Sequence, residues 1–135
     1  MAVVRILIAD DFAPVRQIWK QILSTDARIQ VVGECANGQE VMDCIHQLQP
    51  DVAILDINME PVNGFETCRY IATNYPHIKV LGISVHNEPN YARRMLENGA
   101  RGFIVKSAQK DEMIQAILNI YEGNNFVSAE IAPIH

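Results

Sequence analysis

The sequence predicts a three-layer α/β fold, with five parallel strands in a doubly wound sheet and helices on both of its faces. Five short apolar stretches alternate with segments of helix length that carry apolar residues at helical spacing. Continuous apolar stretches are typical of strands that are buried on both faces, as parallel sheets require. The alternation therefore predicts five consecutive strand–helix units, (βα)5.

The predicted strands end in polar residues. The five stretches are residues 3–9, 30–35, 52–56, 80–84 and 102–105. Four of them end in, or run directly into, the residues Asp10–Asp11, Asp56, Ser84 and Lys106. In an open parallel sheet, ligands bind at the carboxyl ends of the strands. We therefore expect three carboxylates, a hydroxyl and an ammonium group to gather at one edge of the sheet.

The segments between the strands carry helix start and stop signals. The predicted helices cover about 14–23, 41–48, 64–75, 90–98 and 111–122. Pro14 suits a first helical turn, and Pro50 follows the end of the second helix. Gly99 and Gly123 suit the positions just after the fourth and fifth helices. Residues 1–123 are predicted to form one domain, followed by a tail at 124–135.

Composition narrows the class of protein. A hydrophobic fraction of 49% over 135 residues indicates one folded domain. The net charge of −5 argues against direct nucleic-acid binding by this segment. Three cysteines without C-x-x-C spacing favour reduced, buried thiols. Because no apolar stretch approaches membrane-helix length and the start lacks a signal-peptide pattern, we expect a soluble, cytoplasmic domain without membrane contact.

The acidic residues indicate a metal site. Asp10, Asp11 and Asp56 are hard oxygen ligands, and Mg²⁺ suits carboxylates better than Zn²⁺ does. Helix capping by Asp10 and Asp11 is the structural alternative. Because Lys106 is expected to lie opposite three acids, it is interpreted as a salt-bridge partner or a phosphate-binding residue. A solvent-exposed lysine is the alternative. The hydroxyl of Ser84 is a donor suited to a phosphoryl group.

The residues at these strand ends resemble those of receiver domains in bacterial two-component response regulators. The resemblance runs from Val3 to about Gly123 and implies a flavodoxin-like topology. The segments DVAILDINMEPVNGFE, NGARGFIVKSA and AILNIYEGNNFVS resemble the NarL/FixJ-like subfamily, in which a helix-turn-helix DNA-binding domain follows the receiver. The tail at 124–135 resembles the start of an interdomain linker.

The resemblance implies a phosphoacceptor and a metal site. Asp56 would take a phosphoryl group from a sensor histidine kinase or a phosphotransfer protein. The implied cofactor is Mg²⁺, with Mn²⁺ as an alternative. Its ligands would be Asp10, Asp11, Asp56 and the backbone carbonyl of Asn58.

The resemblance also implies a switch. Ser84 and Lys106 would bind phosphoryl oxygens, and Phe103 would swing inward as Ser84 moves. An ordinary core or surface aromatic residue on a strand is the alternative interpretation of Phe103. The switched surface would control transcription through an attached or partner DNA-binding output, and by analogy phosphorylation would favour a homodimer.

Four residues depart from the family pattern or stand at positions that influence its rates. Pro61 comes one position later than the family's Asp-x-x-Met-Pro pattern, because Glu60 precedes it and adds a negative charge. Val85 replaces a smaller residue and is expected to narrow access to Asp56. His86 occupies a position that influences dephosphorylation in the family, with a solvent-facing loop residue as the alternative interpretation.

Two alternative functions belong to other classes of protein than a signalling switch. One is a degenerate receiver that serves as a protein-interaction scaffold. The other is an aspartate-nucleophile phosphohydrolase, whose Asp-x-Asp motif supplies a general acid. Asn58 stands at the position of that second aspartate. We therefore expect a signalling domain with at most slow self-dephosphorylation, and no turnover enzyme.

Overall fold

The computed structural model describes residues 3–85, 88–129 and 131. The strands are β1 (Val4–Ala9), β2 (Ile29–Cys35), β3 (Val52–Asp56), β4 (Lys79–Ser84), β5 (Gly102–Val105) and β6 (Phe126–Val127). The helices are α1 (Ala13–Ser24), α2 (Gly38–Leu48), α3 (Gly64–Asn74), α4 (Pro89–Glu97) and α5 (Lys110–Tyr121). The predicted alternation is confirmed, and the predicted bounds agree with these to within a helical turn.

All strands of the sheet are parallel, in the order β2-β1-β3-β4-β5-β6. One face of the sheet is covered by α1 and α5, which bury Trp19 and Ile117 against it. The other face is covered by α2, α3 and α4, which bury Ile45, Ile71 and Met95. This is the predicted doubly wound, flavodoxin-like arrangement, in which the direction of strand addition changes between β1 and β3. No helix within the described ranges is long and apolar enough to cross a bilayer.

The sheet has one strand more than the five that the sequence predicted. Phe126 and Val127 pair in parallel with Gly102 and Phe103 at the edge of β5. Two residues are too few to show the alternation of apolar and polar residues that identifies a strand in a sequence. This strand forms because the edge of β5 offers unpaired backbone groups. Ile131 is buried on the α2–α4 face. Packing thus continues beyond residue 123, and the boundary between domain and linker stays a prediction.

Hydrogen bonds of Ser128 hold the segment after β6 against the rest of the domain. Its backbone N–H donates to the Phe103 carbonyl at 3.0 Å. Its buried hydroxyl accepts from the Val105 N–H at 3.2 Å and donates to Glu112 Oε1 at 2.7 Å. This residue therefore joins β5 to α5 next to the predicted site residue Lys106.

Replacing Ser128 with alanine is expected to lower the free energy of unfolding by about 2 kcal/mol, because the Val105 N–H and the Glu112 carboxylate lose a buried partner. Urea denaturation at neutral pH measures the change. Ser24→Ala is the matched control, since the Ser24 hydroxyl donates to the Lys20 carbonyl at an exposed helix end. Equal effects of the two substitutions would contradict the role given to Ser128.

Candidate functional site

Two acidic residues meet where the direction of strand addition changes. Ala9 pairs with Leu55 in the parallel register of β1 and β3, so the next residues, Asp10 and Asp56, lie side by side. Both carboxylates are buried. Asp11 follows Asp10 and is exposed. The crevice at such a switch point is the usual ligand site of open parallel sheets.

Lys106 places its ammonium group between the two buried carboxylates. Its Nζ lies 2.9 Å from Asp10 Oδ2 and 3.1 Å from Asp56 Oδ2. The Lys106 side chain is 16% exposed, and its backbone N–H donates to the Ser84 carbonyl at 2.8 Å. The ends of β1, β3, β4 and β5 therefore meet as the sequence predicted.

Backbone contacts hold Asp10 in place. Its Oδ1 accepts from the Phe12 N–H at 2.9 Å, and its carbonyl accepts from Arg16 at 2.6 Å. The Asp10 N–H donates to the Cys35 carbonyl at 3.1 Å. Its other oxygen, Oδ2, is buried and has the ion pair with Lys106 but no aligned hydrogen-bond donor among the described residues. That oxygen has unused acceptor capacity.

The three acids fit a divalent cation. Carboxylate oxygens of Asp10, Asp11 and Asp56 all lie within 4.8 Å of one another. The set contains only hard oxygen donors, and one of its buried oxygens lacks a hydrogen bond from any described residue. This donor set matches the preference of Mg²⁺ for a few carboxylates together with water.

The comparisons with known proteins agree with this geometry. The sequence matches the response regulator receiver domain family over residues 6–118. The chain belongs to this family. It is 34% identical over 129 residues to the response regulator GacA of Pseudomonas viridiflava, covering 96% of this chain and 60% of GacA. It is 31% identical over 128 residues to the transcriptional regulatory protein DegU of Brevibacillus brevis, covering 95% of this chain and 54% of DegU.

A solved structure shows the same fold. The signal receiver domain of the putative response regulator NarL from Mycobacterium tuberculosis superimposes with a TM-score of 0.87 and 31% identity, covering 92% of this chain and 100% of that one. This chain is thus a receiver domain of the two-component type. It spans 54–60% of the length of the two curated relatives named above, so the activity of a whole regulator lies beyond what the chain itself shows.

Burial dominates the electrostatics of the receiver's acidic site. It raises the pKa of Asp56 to about 6, and the charge of Asp10 adds to that rise. The Asn58 N–H at 3.2 Å and Lys106 act in the opposite direction. Burial alone would lower the pKa of Lys106, but its pairing with Asp10 and Asp56 outweighs burial and raises it. The receiver therefore holds two mutually repelling carboxylates with a firmly charged lysine between them.

The raised pKa of Asp56 predicts a stability that depends on pH. Because the folded-state pKa of about 6 lies above the ordinary 3.8, the ionised carboxylate destabilises the fold above pH 6. This cost disappears as the pH falls from 6 toward 3.8. In metal-free buffer at about pH 7.5, we expect Asp56→Asn to raise the free energy of unfolding by on the order of 2 kcal/mol, and by less at about pH 5.

Urea denaturation at both pH values, with a chelator present, measures the difference. Asp43→Asn is the control, because Asp43 is exposed on α2 and distant in sequence from the acids. An Asp56→Asn variant that is less stable than the parent at the higher pH would contradict the electrostatic account.

The two predicted switch residues occupy different places. Ser84 is fully buried at the end of β4, beside the acids' edge of the sheet. Phe103 lies inside the core on the α4 side, and its ring is fully buried. A methyl group at Gly82 would approach Phe103 Cδ2 to 3.0 Å and Met95 Cε to 2.8 Å, so this glycine makes room for the ring. The ring is already inward here, and its movement stays a prediction.

Glu60 and Pro61, which depart from the family pattern, line a cavity beside Asp11. Glu60 is exposed, and the Glu60–Pro61 peptide bond is cis. Val85 follows Ser84 and is 67% exposed. His86 lies outside the described residues. The effects of these residues on rates stay predictions.

Gly64 is the residue at which α3 approaches the end of β3 closely. A Cβ atom at this position would collide with the backbone of Asp56 and Ile57. Helix α3 can therefore begin directly against the end of β3 only with glycine there.

A cavity of about 470 Å³ opens beside the acidic cluster. Its lining includes Asp11, Asn58, Glu60, Pro61, Phe65 and Arg94. The Arg94 guanidinium carbon lies 4.0 Å from the centre of the Phe65 ring, a cation–π contact that joins α4 to α3. Sequence reasoning missed both residues, because an arginine on the polar side of a helix carries no signal of its own. The cavity therefore borders Asp11, the exposed member of the three acids.

Proposed function

We propose that Asp56 is the phosphoacceptor of this receiver domain and takes its phosphoryl group from a sensor histidine kinase or a phosphotransfer protein. One observation carries the proposal: Lys106 Nζ lies within 3.1 Å of two buried carboxylates that share an edge with a third. Such a cluster is costly for folding and is typical of a functional site. A scaffold that only bound partners would gain nothing from it.

Asp56, Lys106 and Ser84 have different roles in the proposed transfer of the phosphoryl group. A carboxylate oxygen of Asp56 attacks phosphorus, and the bond from phosphorus to the donor's nitrogen or oxygen breaks. Lys106 then pairs with a phosphoryl oxygen, and the Ser84 hydroxyl donates to another. Phosphorylation adds about −1.5 to −2 charges and strong acceptor oxygens, which is enough to pull these two groups into new positions.

The metal site follows from the same residues. We propose Mg²⁺, or Mn²⁺ in its place, held by Asp10, Asp11, Asp56 and the backbone carbonyl of Asn58. When bound, the cation supplies positive charge for the transferring phosphoryl oxygens. Removing it with a chelator should stop phosphorylation without unfolding the domain.

The output of the switch is proposed from the relatives. One relative is named a response regulator and another a transcriptional regulatory protein. We propose that phosphorylation controls transcription through an attached or partner DNA-binding domain, that residues 124–135 lead toward it, and that phosphorylation favours a homodimer. The family relation also supports a cytoplasmic location and a signalling domain with at most slow self-dephosphorylation.

The test is the intact mass of the protein after incubation with acetyl phosphate and Mg²⁺. We expect the mass of one phosphoryl group to be gained, and the gain to disappear with a chelator. No adduct from acetyl phosphate, from a panel of histidine kinases or from a phosphotransfer protein would overturn the proposal in favour of a scaffold. Rapid, repeated hydrolysis of phosphate esters would overturn it in favour of a phosphohydrolase.

Val85 is expected to hinder access to Asp56. Replacing it with alanine should speed both phosphorylation by acetyl phosphate and loss of the phosphoryl group, each several-fold, because a smaller side chain admits donor and water alike. Mass spectrometry at timed intervals measures the two rates. Val3→Ala, which trims an exposed valine at the start of the chain, is the control. Unchanged rates in the Val85→Ala variant would contradict the steric role.

A further inference from the structure

Two cysteines lie in contact behind the acidic site. Cys35 ends β2 and Cys44 lies in α2, and their Sγ atoms are 3.5 Å apart. Cys35 is buried, whereas Cys44 is partly exposed. The third cysteine, Cys68, is buried in α3 with its Sγ directed at the backbone carbonyls of Met95 and Asn98. Cys35 and Cys44 are nine positions apart in the chain, and no sequence pattern indicates that they pair.

We propose that Cys35 and Cys44 form a reversible disulfide and are a redox modification site of this domain, with a peroxide as the oxidant. The thiolate of Cys44 attacks one peroxide oxygen, the O–O bond breaks, and a sulfenic acid and water form. The sulfur of Cys35 then attacks the sulfenic sulfur, and a second water leaves. Two thiols are oxidised to one disulfide, while hydrogen peroxide is reduced to two water molecules.

The order of the two steps follows from exposure. Cys44 is the partner that solvent and a small oxidant reach. Cys35 is buried and less accessible to the oxidant, so it takes the role of the second thiol. A disulfide requires sulfur atoms about 2.05 Å apart, so the pair has to close by roughly 1.5 Å. Closure moves the end of β2 and the middle of α2 toward each other.

Closure would reach the acidic site through the backbone. The Cys35 carbonyl accepts the Asp10 N–H at 3.1 Å, and Cys35 is paired with Ala9 at the end of β1. At the start of α2, the Gly38 N–H donates to the carbonyl of Val62 in the loop that follows Asp56. Both elements that carry the cysteines therefore support the loops of the site.

The consequence for the switch rests on the proposed metal site. Moving Cys35 disturbs the hydrogen bond that holds Asp10. We expect the oxidised protein to bind Mg²⁺ roughly tenfold more weakly, a size typical when a group that supports a metal ligand is disturbed. Isothermal titration calorimetry of the reduced and oxidised protein measures this, and a thiol reductant should restore the affinity.

The test of the modification uses the whole chain and hydrogen peroxide. Intact mass should fall by two hydrogen atoms, and a reductant should reverse the change. Digestion without reduction, at Glu34, Glu40 and Glu66, places the three cysteines on separate peptides. The peptide of Cys35 should then be joined to the peptide of Cys44.

Cys68→Ser is the matched control and should keep the disulfide, whereas Cys44→Ser should lose it. Gain of oxygen without a disulfide, a bond that includes Cys68, or only intermolecular bonds would overturn the proposal. The peptide map of the unmodified sequence decides the matter even where a variant fails to fold. Because the map needs no metal and no phosphoryl donor, its outcome is independent of the phosphoacceptor proposal.

Discussion

Replacing Asp56 with asparagine is expected to abolish the gain of a phosphoryl group from acetyl phosphate and Mg²⁺. Asparagine keeps the size of the side chain and can still accept from the Asn58 N–H, which lies 3.2 Å from Asp56 Oδ1. It lacks the carboxylate oxygen that we propose as the nucleophile toward phosphorus. Intact-mass spectrometry of both proteins under the same conditions measures the loss.

The control for this substitution is Asp43→Asn, which removes an exposed carboxylate from α2 and should leave the adduct unchanged. A phosphoryl group retained by the Asp56→Asn variant would show that another carboxylate is the acceptor. Peptide mapping would then identify it, and the proposed role of Asp56 would be wrong.

Replacing Lys106 with methionine is expected to lower the free energy of unfolding by about 3 kcal/mol in metal-free buffer, because the partner of two buried carboxylates is lost. Methionine keeps most of the length and apolar stem of the side chain. Asp10 and Asp56 are then left facing each other without the ammonium group that lies 2.9 and 3.1 Å from them. Urea denaturation at neutral pH measures the loss.

Added Mg²⁺ should restore part of the stability of the Lys106→Met variant, since a cation bound by the acids replaces the lost positive charge. Lys110→Met is the control, because the Lys110 ammonium group donates to the Thr25 hydroxyl in an exposed contact. If the two substitutions cost the same, or if Mg²⁺ has no effect on the Lys106→Met variant, the ion pair is not what balances the site.

These two substitutions and the pH prediction for Asp56 describe one electrostatic balance. The site contains more buried negative charge than Lys106 compensates, which is why removing the charge of Asp56 should stabilise the fold and removing that of Lys106 should destabilise it. A cation or a phosphoryl group can change this balance. That property makes the site suited to a switch.

Much of the site could be predicted from the sequence because it depends on strand ends. Apolar stretches bounded by turn residues identify buried strands, and the parallel arrangement brings their carboxyl ends together. Asp10, Asp56 and Lys106 meet within 3.1 Å for that reason. Asn58 is two positions after Asp56, the last residue of its strand, so the sequence also predicted that Asn58 lies beside Asp56.

Other features had no local pattern. The sixth strand, Phe126–Val127, exists only because the edge of β5 offers it a partner. Ser128 acquires its role from Val105 and Glu112, residues that are separated from it by 23 and 16 positions. Arg94 stacks on Phe65 across two helices. Contacts of this kind depend on which helices and strands pack against each other. The spacing of apolar residues in the sequence does not show this.

The fold class, the order of the elements and the set of groups at one edge of the sheet all follow from the sequence alone, because local periodicity and the geometry of parallel strands are enough to define them. The electrostatic state of that set, the burial of Phe103 and the contact between Cys35 and Cys44 became visible only in the folded chain. Burial and distances of about 3–4 Å depend on the packing of whole elements against each other, and residues far apart in the chain acquire their chemistry there.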